Sequence, residues 1–287
     1  MFSVIIPSYN NLNYLRLCIH SLKKNSKLKH EIIVHVNDGN DGTLDFVKNE
    51  KIKFTYTDHN VGICKGVNIA SKISTMKYLL YSHDDFYFCP EWDTVLENEI
   101  QKLNTNLFYL SGTMINNGQV FLDCGDNIQN FNEEKLLKNY RNIKFHDFQG
   151  STWAPHLIHI NIWNKVGGFS EEFFPGTGSD PDLNKKLWDI GVRIFKGLEH
   201  SKVYHFGSIV TRQKEKKFMS PTESGSKGSK IFILKWGFSI KFFKKYYLNS
   251  DKVYLKPLNN PDKGLKYFFD LFKCKIYLFY LKIFFKS

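Results

Sequence analysis

"FSVIIPSYNNLNYLRLCIHSLKK", residues 2–24, decides the fold. Residues 2–6 are an almost uninterrupted apolar run, as in a strand buried on both faces. "PSYNN" (7–11) is a polar turn, and Leu12, Leu15, Ile19 and Leu22 then recur on one face at helical spacing. Strand, polar loop and amphipathic helix repeat through "EIIVHV" (31–36), "KFTYT" (53–57) and "MKYLLYS" (76–82). This rhythm predicts an α/β fold, a Rossmann-like, mainly parallel sheet flanked by helices. In such sheets the loops after the strand C-termini gather along one edge and bind ligands there. Three of them are strongly polar, "PSYNN", "NDGNDGT" (37–43) and "SHDDF" (82–86), and are expected to line one cleft.

Farther along, strands are expected at "LFYLSGTMI" (107–115) and "VFLDCG" (120–125), and a helix at "NEEKLLKNYR" (132–141). Residues 167–195 read as a glycine-rich loop, a capped helix and a strand. Within them Asp180 followed by Pro181 has the form of a helix N-cap and first helical residue. "RQKEKKFMSPTESGSKGSK" (212–230) reads as a linker or mobile loop. The expected organisation is therefore a domain over residues 1–211, a linker over 212–230 and a helical extension over 231–287.

The formal charge of +12 is unevenly placed. Residues 1–211 carry 22 Lys+Arg against 23 Asp+Glu, and residues 212–287 carry 18 against 5. A nucleic-acid-binding body is excluded, because the part that would form a groove is neutral. In the terminal segment Lys266 and Lys273 fall opposite Lys275, Lys282 and Lys286 on a helical wheel, which predicts two helices with a break near Cys274. The basic tail suits an anionic membrane surface or an anionic glycan; alternatively its aromatics pack on the domain and its lysines are a solvated face. No apolar run reaches the length of a membrane span. Five scattered cysteines without a CxxC pair, and an N-terminus without a leader, point to a cytoplasmic protein, peripheral on the inner face of a membrane if the tail binds there.

Two adjacent acids, Asp84 and Asp85, repel unless a cation stands beside them. A divalent ion, Mn²⁺ or Mg²⁺, answers the pair economically, because its shell is completed by waters and phosphates; capping of the turn before Pro90 is the simpler alternative. His83 is expected to point away, by strand alternation.

The ordered set "VIIPSYN", "EIIVHVNDGNDGT", "NVGICKGVN", "YLLYSHDDFYFCPEW" and "GGFSEEFF…GSDPDL" resembles the family 2 glycosyltransferases of GT-A fold over roughly residues 2–207. The resemblance implies an inverting, metal-assisted transferase. Its donor is a nucleotide-sugar, most commonly a UDP-sugar, and its acceptor a hydroxyl of a glycan or lipid-linked molecule. It implies that Tyr9 and Asp38 hold base and ribose, although Asp38 also suits an Asx-turn. Asn60 and Gly62 match the family's N-x-G helix start. Val67 replaces its arginine, leaving Lys65 as the nearest cation or as a plain surface lysine. Asp84 is implied beside the ribose and Asp85 on the metal, with Ser82 in place of a first acid. His205 is implied as a further metal ligand, against a strand-end histidine satisfied by backbone. Asp180 is implied as the general base, with Asp182 as runner-up. Trp153 reads first as a core residue and second as a platform for a sugar ring. The departures at Ser82 and Val67 also fit a catalytically inactive glycan- or nucleotide-sugar-binding relative. A nucleotidyltransferase is excluded, since no basic glycine-rich loop stands near the N-terminus.

Overall fold

The structure is a computed structural model that describes residues 1–207 and 221–284, with backbone alone at 221–226. The first third alternates as the sequence rhythm predicts: β1 (Phe2–Tyr9), α1 (Leu12–Asn25), β2 (Glu31–Asn37), α2 (Thr43–Asn49), β3 (Lys53–Thr57), α3 (Gly62–Ser71) and β4 (Tyr78–Tyr81). There follow β5 (Phe86–Phe88), α4 (Trp92–Lys102), β6 (Phe108–Ile115), α5 (Glu133–Asn139), β7 (Phe148–Gln149), β8 (His156–His159), α6 (Ile160–Val166), α7 (Ser179–Asp189) and β9 (Ile194–His205). Three helices close the chain: α8 (Pro221–Trp236), α9 (Ile240–Phe243) and α10 (Leu265–Phe284).

The sheet runs β3-β2-β1-β4-β8-β6-β9-β5, with β7 added on β9. Its first four strands are parallel. The other half is mixed: β8 is antiparallel to β4 and β6, β6 and β9 are parallel, and β5 and β7 run antiparallel to β9. The parallel half is where helices return the chain between strands, and only there does the β–α rhythm show in the sequence. Leu15, Cys18, Ile19 and Leu22 of α1 are buried, on the face that the apolar spacing marks.

Four expectations need correction. "VFLDCG" is not a strand: only Val120 bridges to Ile115, Phe121 is exposed, and the Cys124 N–H donates to the Tyr204 hydroxyl (3.2 Å) instead of a strand partner. Asp180 is not the N-cap of α7. Ser179 Oγ donates to Gly176 O (2.6 Å) and Gly178 takes φ 90° as the cap, which starts the helix two residues earlier and leaves Asp180 inside its first turn. Of the expected linker, residues 212–220 lie outside the described residues and 221–230 form the first part of α8.

The last correction concerns α10, which is one continuous helix with no break at Cys274. Tyr267, Cys274 and Leu281 are buried at intervals of seven, with half-buried Leu271 and Leu278 between them. They form a single seam facing α8 and the segment around α9, where the Tyr267 ring meets Phe242 at 5.0 Å. The opposed lysines lie on two flanks between this seam and a second apolar stripe. Phe232, Phe243 and Leu248, fully buried, join the C-terminal helices to the core under the sheet. Among the described residues no helix is long and apolar enough to cross a membrane.

Candidate active site

Strand register opens the site. β2 accompanies β1 up to Tyr9 opposite Asn37, but β4 stops with Tyr81 opposite Ile5. The chain therefore turns at residues 82–85 beside the still-extending end of β1, and Ser8 Oγ reaches Asp84 Oδ2 at 2.7 Å. One strand over, Asn10 Nδ2 donates to Asp38 Oδ2 at 3.0 Å, and the Asn40 amide also donates to Asp38. Asp38 holds a left-handed φ of 67° in the loop after β2. Tyr9, Asp38 and Asp84 thus stand on one edge, at the ends of neighbouring strands.

The start of α3 is structural in its hydrogen bonding. Asn60 Oδ1 accepts from the Gly62 N–H (2.9 Å), and Asn37 Oδ1 accepts from the Val61 N–H (2.9 Å). Gly62 has φ 78°, and a Cβ there would lie 2.7 Å from the Phe174 ring. Lys65 is exposed on α3, whereas Val67 is fully buried in the core.

Beside Asp84, three donors converge. Nδ1 or Nε2 of His83 and His205 and a carboxylate oxygen of Asp85 all lie within 4.8 Å of one another. β5 pairs antiparallel with β9, setting His205 opposite Phe86 and its Nε2 3.5 Å from Asp85 Oδ2. His205 Nδ1 lies 3.2 Å from the Asn117 carbonyl, which can only accept, so Nδ1 donates there and Nε2 is the ring nitrogen turned toward Asp85. A carbonyl behind one ring nitrogen is the usual support of a metal-binding histidine.

His83 was expected to point away. β4 ends at Tyr81, so strand alternation does not govern it; its ring stacks on Phe86 (4.8 Å) and its Nδ1 comes within 3.9 Å of Asp85. Burial pushes its pKa down to about 4, keeping it a neutral imidazole. Ser82 is buried with its hydroxyl on the His83 carbonyl (3.0 Å), facing away from ligand duty. Burial and then the neighbouring Asp85 charge push Asp84 up to about 7, against hydrogen bonds from Ser8 and Asn11. Two imidazoles and a carboxylate fit a divalent cation, and suit Mn²⁺ better than Mg²⁺.

Tyr81 connects this cluster to the second one. Its ring packs on His83 (5.4 Å) on one side and on His156 (5.0 Å) on another. Asp180 Oδ1 lies 4.0 Å from His156 Nδ1 and, although buried, has no hydrogen-bond partner among the described residues. Burial pushes the Asp180 carboxyl up to about 7, the range wanted of a general base. His156 itself is buried, shares Nδ1 with the Tyr109 hydroxyl (2.7 Å), and is held neutral, its pKa pushed down to about 3 by burial. Asp182 is in the opposite condition. Its oxygens accept from Ser170 Oγ (2.5 Å) and Trp236 Nε1 (2.8 Å), with Lys235 Nζ at 3.0 Å.

Trp153, expected in the core, is 51% exposed, three residues before His156, with Lys244 Nζ 5.8 Å from its ring. No residue pattern marks His156, a lone histidine in an apolar strand, whereas His83 adjoins the acid pair. A cavity of about 600 Å³ lies elsewhere, between the segment after α9 and the start of α10.

Residues 3–157 match the family described as Glycosyl transferase family 2. An uncharacterized glycosyltransferase of Rickettsia prowazekii is 30% identical over 177 residues, covering 60% of this chain and 54% of its own length. The chain thus spans about half of that relative. Among solved structures, S. aureus TarS 1–349 superposes with a TM-score of 0.56 at 17% identity, over 87% of this chain and 66% of that one. Its complex with UDP-GlcNAc gives 0.54 at 16% identity, over 85% and 74%. At such identities the likeness is one of fold.

Proposed function

The chain belongs to glycosyl transferase family 2, and from that premise we propose that it transfers a sugar, with inversion, from a UDP-sugar to a hydroxyl of a glycan or lipid-linked acceptor. The observation that carries this is Asp180, a desolvated carboxylate across the Tyr81 ring from the cluster at the strand edge. Tyr9 and Asp38 bind the base and ribose, and Asp84, held by Ser8, faces the ribose. Asn60 and Gly62 shape the loop that closes this side, and Lys65 is the cation nearest the phosphates in sequence. The S. aureus TarS complex with UDP-GlcNAc supports a UDP-sugar as donor.

Asp85, His205 and His83 would hold the divalent cation. When bound, it neutralises the charge of the departing nucleoside diphosphate. Asp180 accepts the proton of the acceptor hydroxyl as that oxygen bonds to the anomeric carbon. The C–O bond to the diphosphate breaks on the opposite face, so the anomeric configuration inverts. Trp153 offers its exposed ring to the acceptor sugar.

The test is UDP release from a panel of UDP-sugars with Mn²⁺, before and after EDTA, alongside thermal shift with the same nucleotides. Mn²⁺-dependent release with one sugar supports the proposal. Nucleotide binding without release, under any acceptor tried, would favour the inactive binding relative to which Ser82 points; no nucleotide binding at all would remove both.

A further inference from the structure

Helix α10 carries two apolar stripes, and the domain uses one. Opposite the buried Tyr267–Cys274–Leu281 seam, Phe268, Phe272, Ile276, Phe279, Tyr280 and Ile283 are 52–68% exposed. At 3.6 residues per turn they fall in one band about half a turn around the helix from the seam. Lys275 and Lys282 line one margin of that band and Lys266 and Lys273 the other, all four exposed. The positive charge continues beyond the helix, because the cavity at the start of α10 is lined by Lys245, Lys252, Lys256 and Lys266.

We propose that this face of α10 lies in the interface of an anionic lipid bilayer, with the aromatic band sunk among the acyl chains. Sinking the band places both rows of ammonium groups at headgroup depth, where long lysine stems reach phosphates. An apolar patch of this size is rare on a freely soluble surface. A second copy of the chain is the poorer occupant: apposing two such bands brings four rows of lysines together, a like-charge arrangement that anionic lipid converts into attraction. The helix parallels the surface, since it is too charged to cross the bilayer.

The experiment is flotation of the full chain with vesicles of phosphatidylcholine alone and of phosphatidylcholine with phosphatidylglycerol, independent of whether sugar transfer is detected. Binding is expected only to the anionic vesicles and to weaken with salt. The triple variant Phe268→Ser, Phe272→Ser, Phe279→Ser, altered only at exposed positions, keeps its melting temperature and loses about a hundredfold in vesicle affinity. Lys275→Glu with Lys282→Glu loses on the order of tenfold or more. Binding indifferent to the aromatic substitutions would mean a polyanion site at the lysine-lined cavity and overturn the proposal. So would a failure to float together with a dimer, seen by light scattering, that the triple variant dissociates.

Discussion

Asp84 with Asp85 and Asp180 with Asp182 are two acid pairs in one site, and they are built in opposite ways. The first is a cooperative arrangement: Ser8 holds Asp84, His83 and His205 surround Asp85, and the excess negative charge calls for a cation. The second divides its labour. Asp182 is saturated by Ser170, Trp236 and Lys235, whereas Asp180, two residues earlier on the same helix, is desolvated and has no hydrogen bond at Oδ1 among the described residues. Helical geometry sends the two side chains to different environments, and environment sets whether an aspartate is a fastener or a base.

Asp180→Asn breaks that division most severely. Transfer should fall by about a thousandfold or more, read as kcat at saturating donor, with nucleotide binding retained. In the wild type, activity should drop about tenfold per pH unit below about 7, as Asp180 takes up a proton. The sign for stability is opposite. The folded-state pKa lies above that of the unfolded chain, so the group's stabilising contribution is lost as pH rises toward 7. At pH 8 the Asn variant should therefore be more stable, by on the order of 2 kcal/mol in urea unfolding.

Asp182→Ala should do the reverse. It removes the acceptor of Ser170 Oγ and of the half-buried Trp236 Nε1, while Lys235 keeps Glu172, and costs about 2 kcal/mol in urea unfolding, while the folded fraction keeps its catalytic rate. His205→Ala tests the first pair: the Mn²⁺ concentration for half-maximal activity should rise about 10–100-fold, with the rate recovered at high metal. Trp153→Ala should have the smallest effect, raising the acceptor KM about fivefold with kcat unchanged; a change in kcat alone would assign it elsewhere.

The parallel half of the sheet and its three polar loops were legible because each rests on local pattern, apolar runs and turn residues along contiguous chain. The loops that carry Tyr9, Asp38 and the acid pair follow from that pattern, whereas the roles proposed for Tyr9 and Asp38 rest on the family resemblance. Strand alternation turns His83 away only if β4 runs past Tyr81, and hydrogen bonding alone shows where a strand stops. Residue type places Trp153 in the core, but it carries no information about what packs above the ring, which is half exposed. The opposed lysines of α10 speak against a single amphipathic helix in water, but not against one with a seam on a domain and a second apolar face outward.

The amino-acid sequence by itself determined the α/β class, the edge on which the loops meet, and the residue types available there. Tertiary structure alone decided that His83 joins Asp85 and His205, that Asp180 is desolvated while Asp182 is satisfied, and that α10 keeps an aromatic face exposed. Periodicity and turn chemistry act between near neighbours in the chain. Desolvation, ligand convergence and the covering of a face are set by residues distant in sequence, and exist only once the chain has folded.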